Sequence, residues 1–193
     1  MRRLKQLLPW GGTTLIAWQL GQLREAGADD VVVVLGHAGN EIGDAVPPPA
    51  RVVVNSDYKK GRATSLRCGA AAVPDGAEAV LVLSVDQPRP AWLSRSLIDG
   101  WRAENPLVMS PRFERGYGHP ILLDGSLLAE LREVSDDTLG LRAVIDRHVD
   151  KARFIRVENQ SVDVDLNTPA DYDAALAAFS RGYWARSVTS SSR

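Results

Sequence analysis

The stretch AVLVLSVDQP, residues 79–88, decides the reading of the fold. Ala79 to Leu83 are apolar without alternation, the pattern of a strand covered on both faces. The run is expected to end in Asp86, and Pro88 stops further pairing. Similar runs recur outward from it. DDVVVVLG (29–36), RVVVNSD (51–57), LVMSP (107–111), PILLD (120–124) and ARFIRVE (152–158) read as strands. Helical patterns separate them. Thr13 or Thr14 can cap LIAWQLGQLREAG, which Gly27 stops. A short helical or turn segment, AGNEIGDAV (38–46), ends at Pro47-Pro48-Pro49. Further helices are predicted at ATSLRCGAAAV (63–73), AWLSRSLIDGWRAE (91–104, started by Pro90), GSLLAELREV (125–134), TLGLRAVIDRHV (138–149) and PADYDAALAAF (169–179). The last has Pro169 in its first turn.

Strands alternating with helices imply crossover units, and with them an α/β, Rossmann-like, mostly parallel sheet with helices on both faces. Ligands of such sheets sit at the carboxyl ends of the strands. A single domain over 1–180 and a polar tail at 181–193 follow. Composition narrows the function. A net charge of −1 over 193 residues offers no global attraction to nucleic acid, so any anion site must be local. The single cysteine, Cys68, excludes an internal disulfide. No apolar run approaches the ~20 residues of a membrane span. Pro9 breaks the short apolar segment after Arg2 and Arg3, so no secretory signal is read there. The expectation is a soluble, cytoplasmic protein.

Four places carry chemistry. Asp86, at the end of an apolar strand, is a hard oxygen donor suited to Mg²⁺ that bridges phosphates; it can equally cap its own loop. In VDVDLNTPADY, Asp163, Asp165 and Asn167 alternate and would project on one side of an extended segment. Ordinary capping by Asn167 or Thr168 explains the same letters. In NSDYKKGRATSLRCG, Gly61 turns the chain, and Arg62, Thr64 and Ser65 open a helix whose free N–H groups favour an anion. A plain strand-to-helix loop explains it equally. His119, after Gly116 and Gly118, is either a general base or a hydrogen-bonded loop residue. His37 and His148 have no zinc-ligand spacing with it or with Cys68.

Taken in order, KQLLPWGG, VVVNSDYKKGRATSLRCG, LVLSVDQP, GYGHPILL and DVDLNTPADY resemble the MobA-like nucleotidyltransferases, a GT-A-like fold, over Lys5 to about Ala178. Within the family they look closest to the molybdenum cofactor cytidylyltransferase branch. The family carries a first strand and glycine-rich loop, LAAGxSxRMG, before a Lys-x-Leu-Leu segment. Met1 matches the methionine of that signature, so the first strand and most of the loop are expected to be missing from this chain. A start codon set too late, or a truncated copy, would produce this.

The resemblance implies transfer of a nucleoside monophosphate from an NTP to a phosphorylated acceptor. CTP and molybdopterin come first, with a molybdenum hydroxylase as a downstream partner and no nucleic acid or membrane partner. Lys5 matches the lysine that neutralises triphosphate charge. Asp86 matches the metal-binding aspartate of Asp-x-Pro, and Asn167, with Asp165, the late position that completes Mg²⁺ coordination. Thr64 and Ser65 fall in the nucleotide segment; Gly118, His119 and Pro120 match a Gly-His-Pro segment on the acceptor side. The competing expectations are a non-catalytic cofactor-binding protein of a molybdoenzyme, and a relative using GTP or another acceptor. A dehydrogenase is excluded because no GxGxxG follows a strand.

Overall fold

A computed structural model of the chain describes residues 4–184. A 3-10 turn at Lys5–Leu7 leads into a small antiparallel hairpin, β1 (Pro9–Trp10) and β2 (Thr13–Thr14). Gly11 and Gly12 turn it at positive φ, where a side chain would be strained. The Thr14 hydroxyl then accepts from the Ala17 N–H and caps α1 (Leu15–Ala26), which Gly27 ends in the left-handed region, as expected. β3 (Val32–Leu35), the short α2 (Gly39–Gly43) and β4 (Arg51–Val54) follow. β3 and β4 pair in parallel, Val32 opposite Arg51 through Leu35 opposite Val54. Next come α3 (Arg62–Ala72), β5 (Ala79–Val82), α4 (Ala91–Glu104), β6 (Val108–Phe113), β7 (Gly116–Tyr117) and β8 (Ile121–Asp124). α5 (Leu128–Arg132), α6 (Leu141–Arg147), β9 (Ala152–Arg156) and α7 (Pro169–Ser180) complete the order.

The class is α/β, but the sheet is mixed rather than mostly parallel. β6–β9 is parallel, whereas β5–β8, β6–β8 and β6–β7 are antiparallel. The reason lies in the connections. β6, β7 and β8 follow one another through turns too short for a parallel crossover, so the chain must reverse. β8 thereby enters between β5 and β6.

Side chains alternate across this five-stranded sheet. Val80, Val82, Val108, Ile121 and Leu123 face α3, α5 and α6 in one core. Ala79, Leu81, Met109 and Leu122 face Leu97, Ile98 and Trp101 of α4 in another. Helices therefore cover both faces, as expected. The pair β3–β4 forms a separate ladder, and among the described residues no strand pairs with the second edge of β3 or of β5. Of β3 and β5 only Leu35 is fully buried, less than their apolar runs predict.

The core also continues past residue 180, where a tail was expected to begin. Trp184 is buried at 4% exposure and its ring lies 5.3 Å from that of Trp10. Phe179 and Trp18 close the same aromatic cluster. Residues 185–193 of the expected tail lie outside the described residues.

Candidate active site

β5 ends at Val82, earlier than the apolar run suggests, so Asp86 lies in a turn beyond the strand rather than at its last residue. The Gln87 N–H closes that turn on Ser84 O at 3.0 Å. The Ser84 hydroxyl donates to Asp86 Oδ1 at 2.5 Å. One backbone bond then joins two distant parts of the chain: the Leu166 N–H donates to Asp86 O at 2.8 Å. Beside it, Gln87 Nε2 donates to Asp165 Oδ1 at 2.7 Å. Asp86 and Asp165 are thus brought to one place, each held by a neutral donor. Neither forms an ion pair among the described residues.

Asn167 follows in the same segment, its N–H donating to Asp165 O at 2.9 Å. Thr168 then caps α7 in a reciprocal box with Asp171. Asp171 is held below the usual carboxylate range by its bonds with Thr168, and the charge of Lys5 adds to the effect. Lys5 therefore lies on the side of the site where α7 begins. The Tyr172 hydroxyl fastens the same region to Pro9 O at 2.5 Å. Asp163 departs from the expected three-oxygen face. It is turned to Arg115, at 2.7 Å, and to Arg89, at 3.8 Å.

His119 is largely buried and joined to Pro120 by a cis peptide bond. Burial pushes its imidazole below the usual histidine value, and the charge of Arg89 adds to this, while Asp165 and Asp86 pull the other way. Both carboxylates thus lie within electrostatic reach of the ring. Gly118 is needed for close packing: a Cβ there would stand 2.6 Å from the Phe113 ring. The Ser110 hydroxyl donates to Gly118 O at 2.9 Å and holds the turn.

Thr64 and Ser65 have framework bonds. Asn55, buried at the end of β4, donates from Nδ2 to both hydroxyls at 2.9 Å. The Thr64 hydroxyl is also within bonding distance of Gly61 O, at 2.8 Å, and of Asp57 O, at 3.2 Å. The start of α3, expected to be free for an anion, is already filled. The Ala63 N–H donates to both Asp136 oxygens, at 3.0 and 3.2 Å. Gly61 is required beside it, since a Cβ would lie 2.0 Å from Asp136 Oδ2. Neither the Arg89 hub nor this Asp136 cap was read from the sequence. A cavity of about 490 Å³ between α5 and α6 gathers none of these residues.

The model of the MobA-like NTP transferase domain matches residues 1–152. The chain belongs to that family. Nucleotidyl transfer is accordingly the chemistry the family shares. The match stops before Asp163, Asp165 and Asn167. The chain is similar to nicotine blue oxidoreductase of Paenarthrobacter nicotinovorans, 27% identical over 179 residues, 85% of this chain and 83% of that protein. Among solved structures it is similar to Rv0371c of Mycobacterium tuberculosis, with 30% identity, 90% of this chain and 88% of that one covered, and a TM-score of 0.76. It is also similar to a nucleotidyl transferase from Methanothermobacter thermautotroptrophicus, at 25% identity, 92% and 86% coverage and a TM-score of 0.78. Rv0371c has further been solved in complex with manganese, a structure 29% identical to this chain over 91% of it and 92% of that one, TM-score 0.74.

Among the described residues no three His, Cys, Asp or Glu side chains form a group that could hold a metal alone. That suits a family whose substrate brings its own oxygens. A nucleotide-bound divalent cation takes one or two carboxylates and fills its remaining positions with phosphate and water. Asp86 and Asp165, hard donors with no ion pair among the described residues, fit that requirement. Among the described residues no helix is long and apolar enough to cross a membrane.

Proposed function

We propose that the chain transfers CMP from CTP to the phosphate of molybdopterin and releases pyrophosphate, with Mg²⁺ held by Asp86 and Asp165 and supported by Asn167. The product would pass to a molybdenum hydroxylase. The observation that carries the reading is the Leu166–Asp86 backbone bond, which joins the two segments whose carboxylates, Asp86 and Asp165, form no ion pair among the described residues. Bound there, a divalent cation would offset the negative charge that grows on the triphosphate. An acceptor phosphate oxygen forms the new bond to the α-phosphorus, and the bond from that phosphorus to the bridging oxygen breaks. Lys5, on the α7 side, meets the charge of the departing pyrophosphate. His119, Gly118 and Pro120 line the acceptor side. The buried imidazole, shifted downward, remains neutral at pH 7 and serves as a hydrogen-bonding group rather than a cation. Thr64 and Ser65 shape the nucleotide side through their bonds to Asn55.

Pyrophosphate release tests this, with CTP or GTP, molybdopterin and Mg²⁺, on the parent chain and Asp86→Asn. Loss of a metal ligand is expected to remove several kcal/mol of charge stabilisation, about 100-fold or more in rate. A variant that keeps most of the parent rate at saturating Mg²⁺ reduces Asp86 to a loop cap. CTP binding without turnover in the parent would favour a non-catalytic carrier. The relative named nicotine blue oxidoreductase motivates a redox control, in which reduction of a heteroaromatic dye by a nicotinamide dinucleotide is followed in place of pyrophosphate.

A further inference from the structure

Arg89 lies between Pro88 and Pro90, where a charged side chain would ordinarily face water. Instead it is 1% exposed, and it is the one fully buried charged residue among those described. Burying a guanidinium costs several kcal/mol unless its donors are met. Here three of its five N–H groups donate to main-chain carbonyls. Nε donates to His119 O at 2.9 Å; Nη1 donates to Pro88 O at 3.1 Å and to Val164 O at 2.8 Å. Those three carbonyls belong to the Asp86 turn, the Gly118–Pro120 turn and the segment that carries Asp163 and Asp165. Its Nη2 lies 3.8 Å from Asp163 Oδ1, too far for a hydrogen bond but close enough to offset the charge. The main chain of Arg89 is fixed in turn by the buried Gln19, whose Oε1 accepts from its N–H at 2.8 Å and whose Nε2 donates to its carbonyl at 3.2 Å.

We propose that Arg89 is the positioning residue of the site: its guanidinium ties three loops together and thereby sets the relative placement of Asp86, His119 and Asp165. This rests on the nucleotidyl-transfer reading above. Buried as it is, the guanidinium cannot meet a substrate; it acts through the carbonyls it holds. The planar fork spreads its donors over three nitrogens and so reaches oxygens on separate loops, whereas the three N–H groups of a lysine radiate from a single nitrogen. Burial pushes its pKa down to about 10, with Asp163 and Asp165 opposing the fall, so the fork stays charged at neutral pH. Displacing reacting groups by about 1 Å can cost about 100-fold in rate, so loss of the staple should be read in turnover.

The test uses the full chain with Arg89→Lys and Arg89→Met, read by amide hydrogen exchange and by pyrophosphate release at varied CTP. Expected in both variants is exchange faster by about tenfold or more in residues 84–88, 117–121 and 163–167, with α5 and α6 unchanged. The kcat is expected to fall by about tenfold or more, with the KM for CTP within about twofold of the parent, and lysine should not rescue it. Parent-like exchange in the three loops overturns the proposal. So does a uniform rise that includes α5 and α6, which would make Arg89 a general core residue, and so does loosening with kcat retained. If parent and variants alike release no pyrophosphate, the nucleotidyl-transfer reading falls, and exchange still decides whether Arg89 ties the loops.

Discussion

Trp184→Ala is the perturbation whose size the structure fixes best. The indole is 4% exposed and its ring centroid lies 5.3 Å from Trp10, 5.5 Å from Phe179 and 6.0 Å from Trp18. Its carbonyl accepts from Trp92 Nε1 at 3.0 Å, so the residue also anchors α4. Truncating a buried tryptophan costs about 3–5 kcal/mol, against a total stability of about 5–15 kcal/mol. For a chain of this size that is a fall of about 6–20 °C in Tm. Trp184→Phe should be much milder. It keeps an aromatic ring in the cluster, and it removes an indole N–H that has no hydrogen-bond partner among the described residues, a defect worth about 1–3 kcal/mol. Differential scanning calorimetry of the three proteins checks the order, and near-UV circular dichroism checks the aromatic packing. A Tm for Trp184→Ala within about 2 °C of the parent, well short of the expected fall, would refute the placement of this residue in the core. The consequence reaches the site, because the cluster packs against α7, whose first turn adjoins Asp165 and Asn167.

Three further outcomes are expected. Asp136→Ala removes the carboxylate at the start of α3 and should cost about 1–2 kcal/mol, read by urea denaturation; Asp136→Asn should recover part of it. Thr64→Val strips a hydroxyl bonded to Asn55 and Gly61 and leaves buried polar groups unpaired, for a loss of about 1–3 kcal/mol, whereas Ser65→Ala should cost less. His119 has a folded pKa below its unfolded value, so its contribution to stability is complete above the unfolded value near 6.5 and is lost as pH falls toward the folded one. The Tm of the parent should therefore drop between pH 7.5 and 5.5 by more than that of His119→Gln, about 1 °C or more in a melt series; equal drops would show that the ring does not titrate there.

Local signals were legible and long-range ones were not. Thr14 and Gly27 mark the ends of α1 because a cap and a left-handed stop act on neighbouring residues. The same holds for Thr168-Pro169 at α7. Asp86 could be picked out because it follows an apolar run, although the strand itself ends sooner. Arg89 could not. Its neighbours in sequence are prolines, and what buries it are carbonyls 30 and 75 residues further along. Asp136 misleads in a similar way. Ser135 caps the local turn, which leaves the Asp136 carboxylate for a helix start 73 residues earlier. The mixed order of the sheet was hidden for a related reason. PILLD reads as a strand in isolation, and only the short returns around β7 decide that it runs antiparallel between β5 and β6.

The three aspartates of the site divide along electrostatic lines. Asp163 faces both arginines of the neighbourhood, Arg115 at 2.7 Å and the buried Arg89 at 3.8 Å, and its charge is accounted for within the protein. Among the described residues Asp86 and Asp165 receive side-chain hydrogen bonds from the Ser84 hydroxyl and the Gln87 amide, which orient an oxygen without neutralising it. A buried arginine a few residues from Asp86 could have cancelled that charge directly. Its donors instead go to carbonyls of three loops, and its charge acts on Asp86 and Asp165 only at longer range. Lys5 lies within electrostatic reach of Asp171 in the first turn of α7. On the proposed reading, Arg89 fixes the loops, Asp163 is closed internally, and Asp86 and Asp165 are left to neutral donors. Of the three, Asp163 alone is ion-paired among the described residues, and two carboxylates oriented by neutral donors are what the proposed metal–nucleotide role would use.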